Sequence, residues 1–197
     1  MSLSRIKPSS VNVALRHLKA AFAWAHRKGY VKTNPAAKVK LTRVPRNTHL
    51  RYLNEAEIQK FRDAIGDDTD LRRVVDFALW TRLRRDEIVH LQWSDVDMER
   101  GTITVQNKED FRTKSGRSRV VPVNPQLAAM LAEMRATPHS ADDSVFNVNY
   151  WTLGIHFREA ARRAGFDRNV SLHTLRHTFA SHLIMAGVDI RSVQEIS

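Results

Sequence analysis

The 197-residue sequence contains no cysteine, which excludes disulfide bonds, thiol nucleophiles and cysteine-ligated zinc. It also has no apolar run long enough to predict a segment that crosses a bilayer. The first four residues show no signal-peptide pattern. We therefore expect a cytoplasmic protein without a membrane partner.

Acidic residues are the minority among the charged side chains. Lys and Arg total 32 against 21 for Asp and Glu, which gives a formal net charge of +11. The pI of ≈ 10.5 exceeds the value of about 9 above which a domain typically binds nucleic acid. Hydrophobic residues make up 42% of the chain, enough for a packed core. The composition predicts a globular protein that binds a polyanion.

The first periodic segment predicts an amphipathic helix. Its apolar residues recur at helical spacing from Val13 to Ala25, Ser9 or Ser10 is expected to cap it, and Gly29 is expected to end it. The few residues before it cannot cover its apolar stripe. Either a neighbouring domain covers this face, or the chain starts within a domain.

A basic stretch from 38 to 51 follows the Asn-Pro break and has no clear period. We interpret it as a linker in which Arg43 and Arg46 are candidate DNA contacts. The chain is thus predicted to comprise a partial helical unit with its linker, residues 1–46, and a second domain, residues 47–197.

The second domain is predicted to be mostly α-helical with one small antiparallel sheet, an α+β fold. Asn54 and Glu57 have the spacing of a capping box at the start of a helix. Alternating residues in 102–105 and 118–123 predict a β-hairpin, and Pro122 favours a short or edge position for the second strand. Further helical patterns occupy residues 71–80, 87–93, 125–131, 152–164 and 172–186, and another starts at 190.

The stretch SLHTLRHTFASH contains three histidines and one arginine. His173 and His177 have the i, i+4 spacing of a zinc pair, but the glutamate of an HExxH motif is missing and Arg176 would oppose a cation. We therefore predict no metal site. His177 and His182 are better explained as polar residues that satisfy their hydrogen bonds on a largely buried helix.

His173 and Arg176 are three residues apart, so both reach the same side of the first helical turn. A histidine that transfers a proton and an arginine that forks onto oxygens suit a phosphate. The segment TRLRRDE adds further arginines, and Glu87 has the spacing to hold Arg84. The hairpin tip adds the basic residues Lys108, Lys114, Arg117 and Arg119.

Three stretches, TRLRRDEIVHLQWSDVD, TKSGRSRVVPV and HTLRHTFASHLIMAGVDIRSVQEI, resemble the tyrosine recombinase (phage integrase) family in order and spacing. The segment SSVNVALRHLKAAFAWAHRKGYVKTNPA resembles the closing helices of the family's core-binding domain. The resemblance implies the family's catalytic-domain fold and site-specific recombination of double-stranded DNA through a 3′-phosphotyrosine. It also implies that no cofactor is needed and that the complete enzyme self-associates on DNA.

The resemblance also assigns roles to individual residues. Arg84 and Arg176 correspond to the two arginines that clamp the phosphate, and Glu87 to the carboxylate that orients the surrounding structure. Lys114 corresponds to the hairpin lysine that acts as general acid. His173 corresponds to the histidine that contacts the phosphate or transfers a proton. We expect the basic residues Lys108, Arg117 and Arg119 to contact DNA.

The sequence departs from the family pattern in two places. Arg82 stands where the family usually has glycine, so either the turn differs here or Arg82 has another task. The chain ends at Ser197, where the family continues to a further histidine and the nucleophilic tyrosine. The tyrosines present are Tyr30, Tyr52 and Tyr150. We expect none of them to replace the nucleophile, and therefore no covalent cleavage by these 197 residues alone.

Other functions compete with this interpretation. The chain could be a non-catalytic DNA-binding remnant or regulator. Type IB topoisomerases use a similar set of Arg, Lys, Arg, His and Tyr. A zinc hydrolase is the most distant alternative.

Overall fold

The computed structural model describes residues 6–44, 51–109, 111–113, 116–137, 139–167 and 169–195. The chain divides into two compact units, Met1–His49 and Leu50–Ser197. Two of the predicted DNA-contacting or catalytic residues, Arg46 and Lys114, lie outside the described residues.

The first unit contains helix α1, Pro8–Arg27. It begins before the predicted serine cap, because Pro8 occupies its first turn, where a missing N–H costs nothing. The buried Asn12 side chain donates to the Thr42 carbonyl at 2.7 Å and accepts from the Thr42 amide at 2.9 Å. These two bonds fasten the returning chain to the helix. Val13, Leu18 and Trp24 nevertheless remain 49%, 54% and 51% exposed.

The second unit is mostly helical and contains one small antiparallel sheet, so the predicted fold class is confirmed. Its helices are α2 (Glu55–Ile65), α3 (Thr69–Thr81), α4 (Arg85–Val89), α5 (Pro125–Arg135), α6 (Tyr150–Arg163), α7 (Leu172–Met185) and α8 (Ile190–Glu195), with a 3₁₀ turn at Trp93–Asp95. Its strands are β1 (Val96–Asp97), β2 (Thr102–Val105) and β3 (Arg119–Pro122). Within the described ranges, no helix combines the length and the apolar character needed to cross a membrane.

The predicted hairpin is formed by β2 and β3, with Thr104 opposite Val120. The strand order β1-β2-β3 places Pro122 on an edge strand, as its missing N–H requires. Strand β1 was not predicted, since two residues are too few to show a period.

The predicted capping box at the start of α2 is present. Asn54 Oδ1 accepts from the Glu57 amide at 2.9 Å, and Glu57 Oε2 accepts from the Asn54 amide at 3.0 Å. The helix carries Phe61 into the core, where its ring lies 4.8 Å from that of Phe157 on α6.

Helix α3 organises the core next to the candidate site. Seven of its residues are buried, and the helix packs against α7. The carboxyl end of α3 meets the first turns of α7, where Arg176 donates a hydrogen bond to the Arg82 carbonyl. This packing brings the segment after α3 next to the HTLRH segment, about ninety residues further along the chain.

Candidate active site

The turn between α3 and α4 sets the direction of Arg84. Arg82 has φ 58 and ψ 18, the left-handed conformation, and is the only non-glycine residue with positive φ in the described ranges. The turn therefore has the geometry that glycine favours, and arginine adopts it at a conformational cost. Leu83 then enters the core, and Arg84 becomes the N-cap residue of α4.

Arg82 also has another task, as the sequence analysis allowed: it connects neighbouring helices. Its guanidinium donates to the carbonyl of Val193 in α8. Its own carbonyl accepts from Arg176 Nη1 at 2.5 Å. Arg82 thus links the end of α3 to both α7 and α8.

Glu87 is the buried carboxylate of the site, with 3% of its surface exposed. It accepts from Arg84 Nη1 at 2.9 Å, and from Arg119 Nη1 and Nη2 at 3.0 and 2.6 Å. Burial alone raises the pKa of Glu87, but the hydrogen bonds from Arg119 and Arg84 outweigh it and lower the pKa to about 2. The carboxylate is therefore ionised and holds both arginines.

Arg176 lies on α7 and is 7% exposed. Burial, together with the like charges of Arg84 and Arg82, lowers its pKa to about 10, although Glu87 opposes the shift. The site is therefore short of negative charge, because one buried carboxylate faces several guanidinium groups. A bound anion would offset this excess of positive charge.

His173 is exposed in the first turn of α7, and its ring lies 4.5 Å from that of His177 in an edge-on arrangement. Burial lowers the pKa of His177, and the charges of Arg176 and Arg82 add to the effect. The lowered pKa favours the neutral imidazole of His177, which adds no further cation beside Arg176.

A cavity of about 580 Å³ joins these elements. It brings together three residues that the sequence nominated as catalytic, Arg84, His173 and Arg176. Its wall also contains residues from α4 and α6 that the sequence analysis missed, namely Arg85, Tyr150, Trp151, Gly154 and Arg158. Two features of the sequence could have pointed to these residues: the consecutive arginines at 84 and 85, and the adjacent aromatic residues at 150 and 151.

The other basic candidates have different surroundings. Lys108 Nζ binds Asp95 Oδ2 at 2.6 Å and the His90 carbonyl at 2.7 Å, so its charge is held within the fold. Arg119 is similarly engaged by Glu87. Arg43, in the first unit, and Arg117, near the hairpin tip, are exposed.

The remaining histidine of the cluster has a structural contact. His182 Nε2 lies 2.9 Å from the Leu53 carbonyl, and its Nδ1 lies 3.4 Å from Glu55. No cluster of three or more metal-ligating side chains occurs in the described parts of the chain.

The two tasks of Arg82 can be separated by comparing two variants. Arg82→Ala and Arg82→Gly both lose the guanidinium bond to α8, but only glycine adopts φ 58 without a Cβ penalty. We expect Arg82→Gly to be more stable than Arg82→Ala by about 1 kcal/mol, the cost of a left-handed conformation for a residue with a Cβ. Urea unfolding of both variants measures the difference, and equal stabilities would contradict a left-handed residue 82.

The second unit matches a known protein family. Residues 51–197 match the model of the phage integrase family. The XerC tyrosine recombinase of Xanthomonas campestris pv. campestris is 29% identical over 97% of this chain. XerC of Xylella fastidiosa is 30% identical over 97%, and the integrase of Salmonella phage P22 is 29% identical over 96%. The chain spans 60% and 66% of the lengths of the two XerC proteins and 51% of that of the integrase.

Solved structures show the same fold. The XerA recombinase is 25% identical, with a TM-score of 0.61, over 100% of this chain and 75% of its own. A lambda integrase dimer bound to a COC′ core site has a TM-score of 0.77 at 19% identity, over 96% of this chain and 71% of its own.

Proposed function

The chain belongs to the phage integrase family of tyrosine recombinases, and from this premise we propose that Arg84 and Arg176 bind the backbone phosphate at which a DNA strand is cut and rejoined. The observation that carries the proposal is the cavity lined by both arginines and His173, with more guanidinium charge than Glu87 offsets. Phosphoryl transfer spreads negative charge over the non-bridging oxygens, which fixed donors stabilise.

The family resemblance supplies the remaining steps of the proposal. A tyrosine oxygen attacks phosphorus, the 5′ oxygen leaves with a proton, and the phosphotyrosine conserves the bond energy until a 5′ hydroxyl of the partner strand attacks it. We assign proton donation to Lys114 and proton transfer or phosphate contact to His173. Glu87 acts through Arg84 and Arg119 as a positioning residue. These steps need no metal or organic cofactor.

Double-stranded DNA is the proposed partner, and with it a location at the nucleoid. The excess of basic residues supports this choice, as does the DNA core site bound by the lambda integrase structure. That integrase is a dimer, and we propose that this protein also self-associates on DNA.

Binding to duplex DNA tests the proposal. If roughly six phosphate contacts form, the affinity should fall by about 10³ between about 50 and 200 mM salt, because each contact releases counterions. Titrations over this range, by fluorescence anisotropy, give the slope of affinity against salt. An affinity that stays constant across the range would contradict the electrostatic basis of the proposal.

A polypeptide of these 197 residues should form no covalent adduct with DNA. Among its three tyrosines, Tyr150 lies in the cavity wall, where the Arg85 guanidinium covers its ring at 3.4 Å from the centroid. We assign Tyr150 to holding Arg85 and not to attack on phosphorus. Incubation with nicked suicide substrates, followed by denaturing electrophoresis and peptide mapping, checks this. A DNA label on Tyr30, Tyr52 or Tyr150 would contradict it.

A further inference from the structure

Two arginines that the catalytic assignment does not use meet at a single glycine on the cavity wall. A Cβ at Gly154 would lie 2.5 Å from Arg85 Nη1, so any larger residue there would force the Arg85 guanidinium to shift. The Gly154 carbonyl accepts a hydrogen bond from Arg158 Nε at 3.0 Å. The glycine thus allows one guanidinium to approach the helix backbone and anchors a second.

The ring of Tyr150 also contacts the first of these guanidinium groups. Arg85 Cζ lies 3.4 Å from the ring centroid, a close cation–π contact. Arg85 consequently lies against the aromatic face and close to Gly154 of α6, while it still lines the cavity. A side chain with this much restraint loses little rotamer freedom when a ligand binds.

Arg85 and Arg158 differ from Arg84 and Arg119 in their charge partners. Neither forms an ion pair with a carboxylate in the part of the chain that the structure describes, in contrast to Arg84 and Arg119, which share Glu87. Asp86 is the acidic residue in the cavity wall, and it is exposed. Arg158 is exposed as well, and Arg85 is half-buried. The wall therefore offers two restrained cations to an anion.

We propose that Arg85 and Arg158, gathered at Gly154, form a second phosphate subsite that takes a DNA backbone phosphate adjacent to the one bound between Arg84 and Arg176. This subsite rests on the proposed function, because it shares the cavity of the Arg84–Arg176 clamp. Guanidinium groups are suited to it, since they fork onto phosphate oxygens and remain charged. The subsite holds the DNA strand on one side of the reacting phosphate and thereby positions that phosphate between Arg84 and Arg176.

The salt dependence of duplex binding tests the subsite. Arg85→Ala and Arg158→Ala should each reduce the slope of log affinity against log salt by about 0.9, the loss of one phosphate contact. Arg135→Ala removes the same charge from the last turn of α5, outside the cavity, and should leave the slope unchanged. Thermal unfolding of each variant verifies that it is folded.

A second pair of variants tests how Arg85 is held. Tyr150→Phe keeps the ring and should retain the Arg85 contact, whereas Tyr150→Leu removes the aromatic face and should reduce the slope as Arg85→Ala does. The subsite would be overturned if Arg85→Ala and Arg158→Ala both kept the slope of the unsubstituted chain while Arg84→Ala reduced it. That result would leave the proposed function intact. A parental slope in Tyr150→Leu would overturn the role of the ring. If the unsubstituted chain failed to bind DNA, the proposed function would fail first and the subsite with it.

Discussion

Replacing Glu87 with glutamine is expected to lower the free energy of unfolding by about 3–5 kcal/mol, the cost of breaking a buried ion pair on one side. Glutamine keeps the shape of the side chain, but it leaves the guanidinium groups of Arg84 and Arg119 without their carboxylate. Equilibrium unfolding in urea measures this loss. A change below about 1 kcal/mol would mean that the network contributes no more than a surface pair does.

Glu57→Gln provides a matched control. Glu57 also occupies the third position of its helix, accepts a capping hydrogen bond and pairs with an arginine, Arg51. Its side chain is 26% exposed, whereas that of Glu87 is 1% exposed. The same substitution there should cost about 1 kcal/mol or less, because water screens the pair. The difference between the two variants therefore measures the effect of burying the ion pair, because the capping hydrogen bond is common to both.

The contribution of Glu87 to the free energy of unfolding should decrease as the pH falls. The folded-state pKa of about 2 lies below the ordinary value of 4.5, so the ionised form stabilises the fold. This contribution is complete above pH 4.5 and is lost as the pH falls towards 2. The stability difference between the parent and Glu87→Gln should therefore shrink over that interval, and a constant difference would contradict the assigned pKa.

Arg176→Ala should weaken binding to duplex DNA by about 10- to 100-fold, since hydrogen bonds to charged groups contribute about 1.5–3 kcal/mol. We expect the same range for Arg84→Ala. Folding should change little in Arg176→Ala, because the variant loses one hydrogen bond to Arg82 but also relieves the repulsion that lowers the Arg176 pKa. Binding titrations together with urea unfolding separate these effects.

Arg176→Lys provides the conservative comparison. It keeps the charge but not the planar fork, so it should recover only part of the affinity. Full recovery would indicate that Arg176 acts through charge alone. Unchanged affinity in Arg176→Ala would contradict a phosphate contact at this position.

Local features of the fold could be predicted from the sequence because their causes are local. The Asn54–Glu57 capping box spans four residues, and the alternation of β2 is also visible within four. The proline in the edge strand follows from one missing donor. The left-handed turn at Arg82 could be expected only because the family usually has glycine there; arginine itself gives no such signal.

The ion pair between Glu87 and Arg84 follows from their spacing, but the other ion pairs depend on tertiary packing and could not be predicted from the sequence. Arg119 reaches Glu87 across 32 positions, and Lys108 reaches Asp95 across 13. Both were predicted to contact DNA because they are basic residues near the hairpin tip. The structure shows that carboxylates of the fold already engage their charges. The contact between Arg85 and Tyr150 was missed for the same reason, since these residues lie on two different helices and are 65 positions apart.

The most direct test of the central claim is an experimental structure of this chain bound to duplex DNA. The account predicts one backbone phosphate within hydrogen-bonding distance of both the Arg84 and Arg176 guanidinium groups, in the cavity that His173 lines. A complex in which the DNA lies on another face, with no phosphate between these two arginines, would contradict it.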